Sequence, residues 1–420
     1  MSASWWAGIS AGVAAVMLLI LWSVRRHQRP LLNLRSDSPI EELMPSLAGL
    51  TMGHCAEGNS VTVLENGEFF DVLLDRIGSA RHSVHFETFL WKEGKLGGRL
   101  ADALCHRARA GVNVRLTLDF NGCRGMGREA RRRLESAGCR IAIFHPLSLK
   151  TLGVMNDRTH RKLVVIDGRE AFVGGHCIVD EWLGNAEDGR HYADVSVQVR
   201  GPIVHSLQSA FSENWGEVTG EMFIGNDYFP AQAPAGDVRI HAAFLKPDGS
   251  APTVKILHHA ALCLAKRRLW IQNPYFIPER EAVKALAEAV QRGVDVRVLM
   301  PSTGGSDNPM VQHAGHHNFE RLLEAGVRLF EYQHTLLHQK VMTIDGIWSA
   351  VGSSNFDDRS FETNDEITLG ILDAAVAARL DAVFEHYAAR AREIKLTRWQ
   401  HRPLGHRLLD RVCYGFKELL

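Results

Sequence analysis

The sequence predicts an α/β chain of two tandem α/β/α sandwich units related by a pseudo-two-fold, preceded by one N-terminal transmembrane helix. Three observations predict it. One short motif occurs twice, strands and helices alternate in the same order around both copies, and twenty uncharged, mostly apolar residues run from 5 to 24. Alternating strands and helices form sheets covered by helices on both faces. Self-similarity at a long interval marks a duplicated unit.

At about 1.5 Å rise per residue, residues 5–24 would span roughly 30 Å, one hydrocarbon core. Trp5, Trp6 and Trp22 stand at its ends, where amphipathic rings prefer the interface. The chain start lacks the basic region of a cleaved signal peptide, and no small-residue cleavage site follows. Arg25, Arg26 and Arg29 come next, so the positive-inside rule places the remainder in the cytoplasm. The expectation is a single-pass anchor in the cell inner membrane (1–30 with its basic flank) and a linker over 31–60.

The first unit is expected over 61–232. Residues 80–87 form a basic turn running into a strand, and a helical stretch follows. Val112, Val114, Leu116 and Leu118 alternate after Gly111, as a half-buried strand does. A helix from Arg131 then leads to a strand over 141–144. The second unit, 233–394, repeats this order: strand 265–272, a helix carrying Val283, Leu286 and Val290 between Pro278 and Gly293, and strand 294–300. A helix from Phe319 and a strand over 327–332 complete it. The two glycines Gly111 and Gly293 are 182 residues apart. The charge-poor, Pro- and Ala-rich stretch 229–236 marks the linker between units.

Each unit then reaches the motif. The first copy is His160-Arg161-Lys162-Leu163-Val164-Val165-Ile166-Asp167, followed by Gly174-Gly175; the second is His338-Gln339-Lys340-Val341-Met342-Thr343-Ile344-Asp345, followed by Gly352-Ser353. Extended backbone puts His and Lys, two apart, on one face. The apolar run is a buried strand, and Asp-Gly after it signals a hairpin. An imidazole that can attack phosphorus and an ammonium that can hold a phosphate oxygen are thereby delivered together, twice. Covalent phosphodiester exchange needs two imidazoles, one to attack and one to protonate the leaving oxygen. The two copies are expected to meet at the interface between units, a common place for small-molecule sites.

Composition sets the bounds. Forty-eight basic and 48 acidic residues give a formal charge of zero, which argues against a dedicated nucleic-acid binder. The seven cysteines are scattered without CxxC spacing and suggest neither a zinc site nor a disulfide framework. His313, His316 and His317 have helical spacing but no accompanying carboxylate pattern, so no metal is expected. The tail 395–420 carries six basic and two acidic residues, with Trp399, Leu404, Leu408, Leu409, Tyr414 and Phe416 interleaved. It is read as a basic amphipathic segment that lies in an anionic headgroup layer or packs against the second unit.

On the double motif the chain resembles the phospholipase D superfamily, and within it the bacterial cardiolipin synthases. The resemblance runs from about Val61 to the C-terminus. Supporting stretches are Phe86-Glu87-Thr88-Phe89, Asp180-Glu181-Trp182, the segment 194–202, Asn273 to Pro278, and Gly352 to Phe361 with Asn364 and Glu366. It implies two phospholipase D-like domains and metal-free, cofactor-free transfer through a phosphohistidine. The phosphatidyl group would pass from one phospholipid, phosphatidylglycerol foremost, to a glycerol hydroxyl of another. By analogy His160 is the nucleophile with Glu366 as its carboxylate, and His338 the acid and base with Asp194, although near-symmetry permits the reverse. Lys162, Lys340, Ser353 and Asn355 would hold the non-bridging oxygens, with Gly174 and Gly175 beside them. Asp167 and Asp345 count as motif members whose place favours a turn. The chain departs from the family at Cys177, where an asparagine is usual; a small core residue is the favoured reading there. Glu87 is open between a pocket wall and a buried ion pair with Arg81 or Lys92, and His176 between a third active-site imidazole and a satisfied polar residue. Hydrolysis of phospholipid by the same residues is the alternative, and a nuclease built on the Arg124–Arg133 patch a more distant one.

Overall fold

The computed structural model describes residues 38–146, 156–247 and 252–418, with a few positions ahead of residue 38. Leu34–Leu420 forms one compact unit, separate from Met1–Asn33. Of the anchor expected over 5–24, positions 8, 10, 12–15 and 17 are described, all of them helical and exposed, and the rest lies outside the described residues. Among the described residues no helix is long and apolar enough to cross a membrane.

The first half supplies β1 (His54–Glu65), β2 (Ser83–Thr88), β3 (Asn113–Asp119), β4 (Arg140–Phe144), β5 (Leu163–Ile166), β6 (Glu170–Gly174) and β7 (Val195–Arg200). The second supplies β8 (Val238–Leu245), β9 (Arg268–Gln272), β10 (Asp295–Pro301), β11 (Arg328–Tyr332), β12 (Val341–Ile344), β13 (Trp348–Gly352), β14 (Glu366–Leu372) and a two-residue β15 (Arg392–Glu393). They join in one mixed sheet ordered β15-β11-β10-β9-β12-β13-β14-β8-β1-β7-β6-β5-β2-β3-β4. From the middle outward, β1-β7-β6-β5-β2-β3-β4 mirrors β8-β14-β13-β12-β9-β10-β11, so the duplication read from the motif is carried by the whole topology. The halves meet where β1 pairs antiparallel with β8, with a register shift between Ala56 and Asn59. That shift lets the long β1 pair with β8 through its first residues and with β7 through its last.

The helices anticipated in both halves form at Lys95–Arg109, Arg128–Ser136, Arg280–Gln291 and Phe319–Glu324. In the helix Arg280–Gln291 the buried stripe is Ala282, Ala285, Leu286 and Ala289, the i, i+3, i+4, i+7 face that a sheet-covering helix presents. The residues expected as linker, 229–236, have no regular structure. One apolar layer runs through both halves, from Leu163, Val165 and Val197 to Val341, Val351 and Ile367.

The motif strands β5 and β12 are buried on both faces, as their Val- and Ile-rich sequences require. Asp167-Gly168 and Asp345-Gly346 have φ of 54° and 63°, and 55° and 73°, so both residues of each pair lie in the left-handed region that a tight hairpin needs. Their carboxylates face backbone amides. Asp167 accepts from Arg81, His82 and Ser83 at 2.7–3.1 Å, and Asp345 from Lys266, Arg267 and Arg268 at 2.7–3.3 Å. Each therefore ties the motif hairpin to the start of β2 or β9, at the strand end remote from the histidine.

Candidate active site

His160 and His338 lie in the extended residues just ahead of β5 and β12, and each is stitched to the other half. The His160 amide donates to the Asp365 carbonyl at 3.0 Å, and the His338 amide to the Ala193 carbonyl at 2.7 Å. Thr159 bridges Asp365 in parallel register, as Ala193 bridges Leu337. One residue beyond each bridging carbonyl stands a carboxylate, Glu366 or Asp194. His160 Nδ1 meets Glu366 Oε1 at 2.8 Å, and His338 Nδ1 meets Asp194 Oδ2 at 2.7 Å. A carboxylate on Nδ1 fixes the tautomer with the proton there and turns Nε2 toward the cleft.

Alternation does the rest. Lys162 and Lys340 come back to the histidine side, each Nζ donating to its own histidine's carbonyl at 2.7 Å. Arg161 turns the other way and is fully buried, with Nη1 on the Ala210 carbonyl at 2.9 Å. The two centres feel each other: Lys340 lowers the proton affinity of His160, and Lys162 that of His338. The expected meeting of both motif copies where the halves join is what the structure shows: each histidine is bonded to the other half and lies within electrostatic reach of the other motif's lysine.

Burial sets the charge states. It pushes His160 down to about 4, against the pull of Glu366, so the imidazole is neutral near pH 7. Burial and then Lys340 hold His338 well below the usual histidine range. Burial opposes ionisation of Glu366, but His160 and Lys162 outweigh it and the carboxyl falls to about 2. Burial lowers Lys340 to about 8 against the attraction of Asp194. The site thus holds two neutral imidazoles, an anionic Glu366 and a lysine whose charge is lost only a little above neutral pH.

The halves differ in detail. Ser353 donates its hydroxyl to Glu366, while the matching position is Gly175. A Cβ on Gly175 would stand 2.3 Å from Asp194 Oδ1, and one on Gly174 2.5 Å from the Ser196 Cα, so both are close-approach glycines. In place of a serine hydroxyl, Asp194 accepts the Trp182 indole N–H at 2.8 Å and the Val195 amide at 2.8 Å. Gly175→Ala is therefore expected to displace Asp194 and with it the His338 ring. Misplacing a reacting group by an ångström costs on the order of 10²-fold in turnover; a Gly175→Ala enzyme within about twofold of the parent would refute the close-packing argument.

A second difference is that Lys340 Nζ lies 2.9 Å from His338 Nε2, whereas His160 Nε2 has no protein partner among the described contacts. Cys177 replaces the asparagine of the second half and is buried, its Sγ 3.7 Å from the Gly175 carbonyl, and burial raises its thiol. It is a core residue. Asn355 is buried at the cleft, with a side-chain oxygen that meets no protein donor.

His176 is satisfied at both nitrogens, by Ser196 at 2.7 Å and the Asn66 carbonyl at 2.9 Å, and stacks on Phe69. Glu87 pairs with neither Arg81 nor Lys92; Thr159 and Asn214 donate to it at 2.5 and 2.7 Å, and burial raises it to about 7. His313 and His316 do gain a carboxylate, Asp410, from the distant tail. Arg402 already occupies Asp410 Oδ2 at 2.7 Å and Glu331 faces His316, so the group is an ion-pair network. The arginine patch is a solvated helix face in which Arg131 pairs with Glu135 at 2.9 Å and Arg133 with Asp102.

Sequence reading missed several neighbours. The Phe89 ring lies edge-on to His160 at 5.1 Å and under Lys162 at 5.3 Å; the Trp182 ring lies edge-on to His338 at 5.0 Å. Both end stretches quoted with the resemblance, 86–89 and 180–182, whose aromatic residues were the available signal. Asn66, which accepts the Asp194 amide at 3.0 Å, and Asp307, which acts electrostatically on His338, carry no local signature. Phe89 also lines a depression of about 560 Å³ with Lys92, Glu93 and Asn121.

Fold and site define a two-half α/β protein with a duplicated, carboxylate-backed His–Lys centre. The family model described as "Cardiolipin synthase, PLD-like domain" matches residues 73–215 and 259–388. The chain is 33% identical over 390 residues to cardiolipin synthase 2 of Bacillus anthracis, covering 91% of this chain and 74% of that one. It is 32% identical over 361 residues to the major cardiolipin synthase of Bacillus subtilis, covering 85% and 74%. Among solved structures, phosphatidylserine synthase from Haemophilus influenzae superposes with a TM-score of 0.66 over 90% of this chain and 100% of that chain. At 14% identity that likeness is one of fold. The chain belongs to the cardiolipin synthase family of the phospholipase D superfamily.

Proposed function

We propose that this phosphatidyltransferase moves a phosphatidyl group from one phospholipid, phosphatidylglycerol foremost, to a glycerol hydroxyl of a second, through a phosphohistidine on His160. The observation that carries this reading is the crossed pairing of two neutral imidazoles with carboxylates of opposite halves, beside two lysines. His160 Nε2 is unencumbered and Glu366 raises its nucleophilicity through Nδ1. His338, bonded through Nε2 to Lys340, suits the acid and base role. A phosphodiester anion in the cleft would offset Lys162 and Lys340 and restore the proton affinity of His338. His338 then protonates the departing glycerol oxygen. It takes the proton back from the acceptor hydroxyl as that oxygen attacks the phosphohistidine. The lysines and Asn355 face the non-bridging oxygens, while the Ser353 hydroxyl, whose proton goes to Glu366, holds that carboxylate in place instead of the phosphate oxygens expected for it.

The twenty uncharged residues at 5–24 and the arginines after them support a single-pass anchor in the inner membrane, with the catalytic unit on the cytoplasmic side. Incubation with phosphatidylglycerol tests the reading: cardiolipin and free glycerol should accumulate in equal amounts. Phosphatidic acid as the sole product would assign the chain to phospholipid hydrolysis instead.

The pH profile follows from the charge states. Protonation of His160 near 4 removes the attacking lone pair, so kcat/KM falls as pH drops through that value. Lys340 loses its charge near 8, so kcat/KM falls again as pH rises through it. In Lys340→Arg the limb near 8 should disappear, because a guanidinium stays protonated, and any alkaline fall that remains is loss of the proton from the His338 acid. A parent rate still climbing beyond about pH 9 would show that the lysine charge is not used.

A further inference from the structure

The helix Leu404–Gly415 is amphipathic with its polarity turned inward. Its buried groups are Asp410 and Cys413. Asp410 is held by His313 at 2.8 Å and Arg402 at 2.7 Å, and Tyr414 stacks on His317 at 4.1 Å. The opposite face is apolar and exposed: Leu404 is 80% accessible, Leu408 64% and Val412 50%, at i, i+4 and i+8, with Leu409 and Phe416 alongside. A helix that packs by a carboxylate and presents a leucine stripe to solvent has its ordinary orientation reversed. A stripe of this kind marks an interaction surface.

We propose that this apolar face inserts into the headgroup boundary of an anionic lipid bilayer and seats the catalytic unit on its substrate surface. The proposal rests on the phospholipid reading above and adds the element that makes the contact. Charge selects the occupant: of the six basic groups in residues 395–418, Lys395, Arg402, Arg407 and Lys417 pair with Glu393, Asp410, Glu320 and Asp358, which leaves exposed Arg398 and exposed Arg411, the latter bordering the stripe. An anionic surface complements this set, whereas a second copy would bring like charges together. Position agrees. Cys413 and Tyr414 pack with Val311 and Tyr275, and the Tyr275 hydroxyl donates at 2.8 Å to Asp307, the carboxylate that acts on His338. At the helix C-terminus Lys417 pairs with Asp358, three residues beyond Asn355. A bilayer on this face would therefore lie beside the cleft that a lipid headgroup must reach.

The test uses the full chain with Leu408→Cys carrying an environment-sensitive fluorophore, measured against the parent chain given the same treatment. With phosphatidylglycerol vesicles the emission should shift to the blue and be quenched by a lipid-borne quencher, and vesicles of phosphatidylcholine alone should give a weaker response. Leu408→Glu combined with Val412→Glu should lower transfer on phosphatidylglycerol vesicles by about tenfold or more, with an unchanged unfolding midpoint. A fluorophore that stays in water on an enzyme making cardiolipin overturns the docking face and leaves the activity standing. A blue shift that grows with protein concentration without vesicles overturns it in favour of self-association. A membrane-inserted fluorophore on a chain that makes no cardiolipin leaves the docking face standing and refutes the transferase reading.

Discussion

His160→Ala and His338→Ala should each lower phosphatidyl transfer by on the order of 10⁴-fold or more, because one removes the nucleophile and the other the proton carrier. The double variant should be scarcely worse than either, since groups that act as one unit are not additive. Leaving-group chemistry separates the two roles. A phosphatidyl ester of an acidic phenol departs without a proton, so it should restore phosphoenzyme formation in His338→Ala and not in His160→Ala. Covalent labelling of His160→Ala from such a donor would reverse the assignment. Substantial turnover of natural lipid by either single variant would remove the two-imidazole mechanism altogether.

Arg161→Ala should destabilise the folded chain by about 3–5 kcal/mol, the cost of stripping the partner from buried charge. The guanidinium is fully buried between the halves, donating to the carbonyls of Ala210 and Leu245 and facing Glu213 at 3.1 Å. It also opposes the burial-driven rise of Glu87, which still reaches about 7, and of Asp365. Without it both carboxyls rise further. The native state then binds protons more tightly than the unfolded chain, so stability falls with rising pH through the folded pKa. The deficit relative to the parent should widen above about 7, where the parent Glu87 has already ionised. Denaturant titrations at several pH values measure this; a loss under about 1 kcal/mol, flat in pH, would mean the arginine is not the staple between the halves.

His160, Lys162, His338 and Lys340 were legible because strand alternation and a repeat act locally. Asp167 and Asp345 were legible as turns for the same reason, and their φ values bear it out. Asp194 and Glu366 were placed only through resemblance; nothing near them in sequence reveals that each crosses to the other half. Arg161 was invisible as a structural group because it hides inside the motif, on the opposite face of the same extended segment. The tail illustrates a different failure. Lying on a membrane and packing on the second half were set against each other, yet the helix Leu404–Gly415 packs by its polar side and leaves its apolar side free. The metal reading of His313 and His316 lacked a carboxylate that arrives from Asp410, 97 residues from His313, beyond the reach of any spacing rule.

The ladder between β1 and β8 has a kinetic consequence. Because the halves are joined in one sheet through β1 and β8, they cannot swing apart as rigid bodies without tearing main-chain hydrogen bonds at its centre. A clamshell motion to admit a two-tailed substrate is therefore closed to this architecture. Any motion that admits a substrate must then come from the segments that connect strands and helices within each half, not from a hinge between the halves.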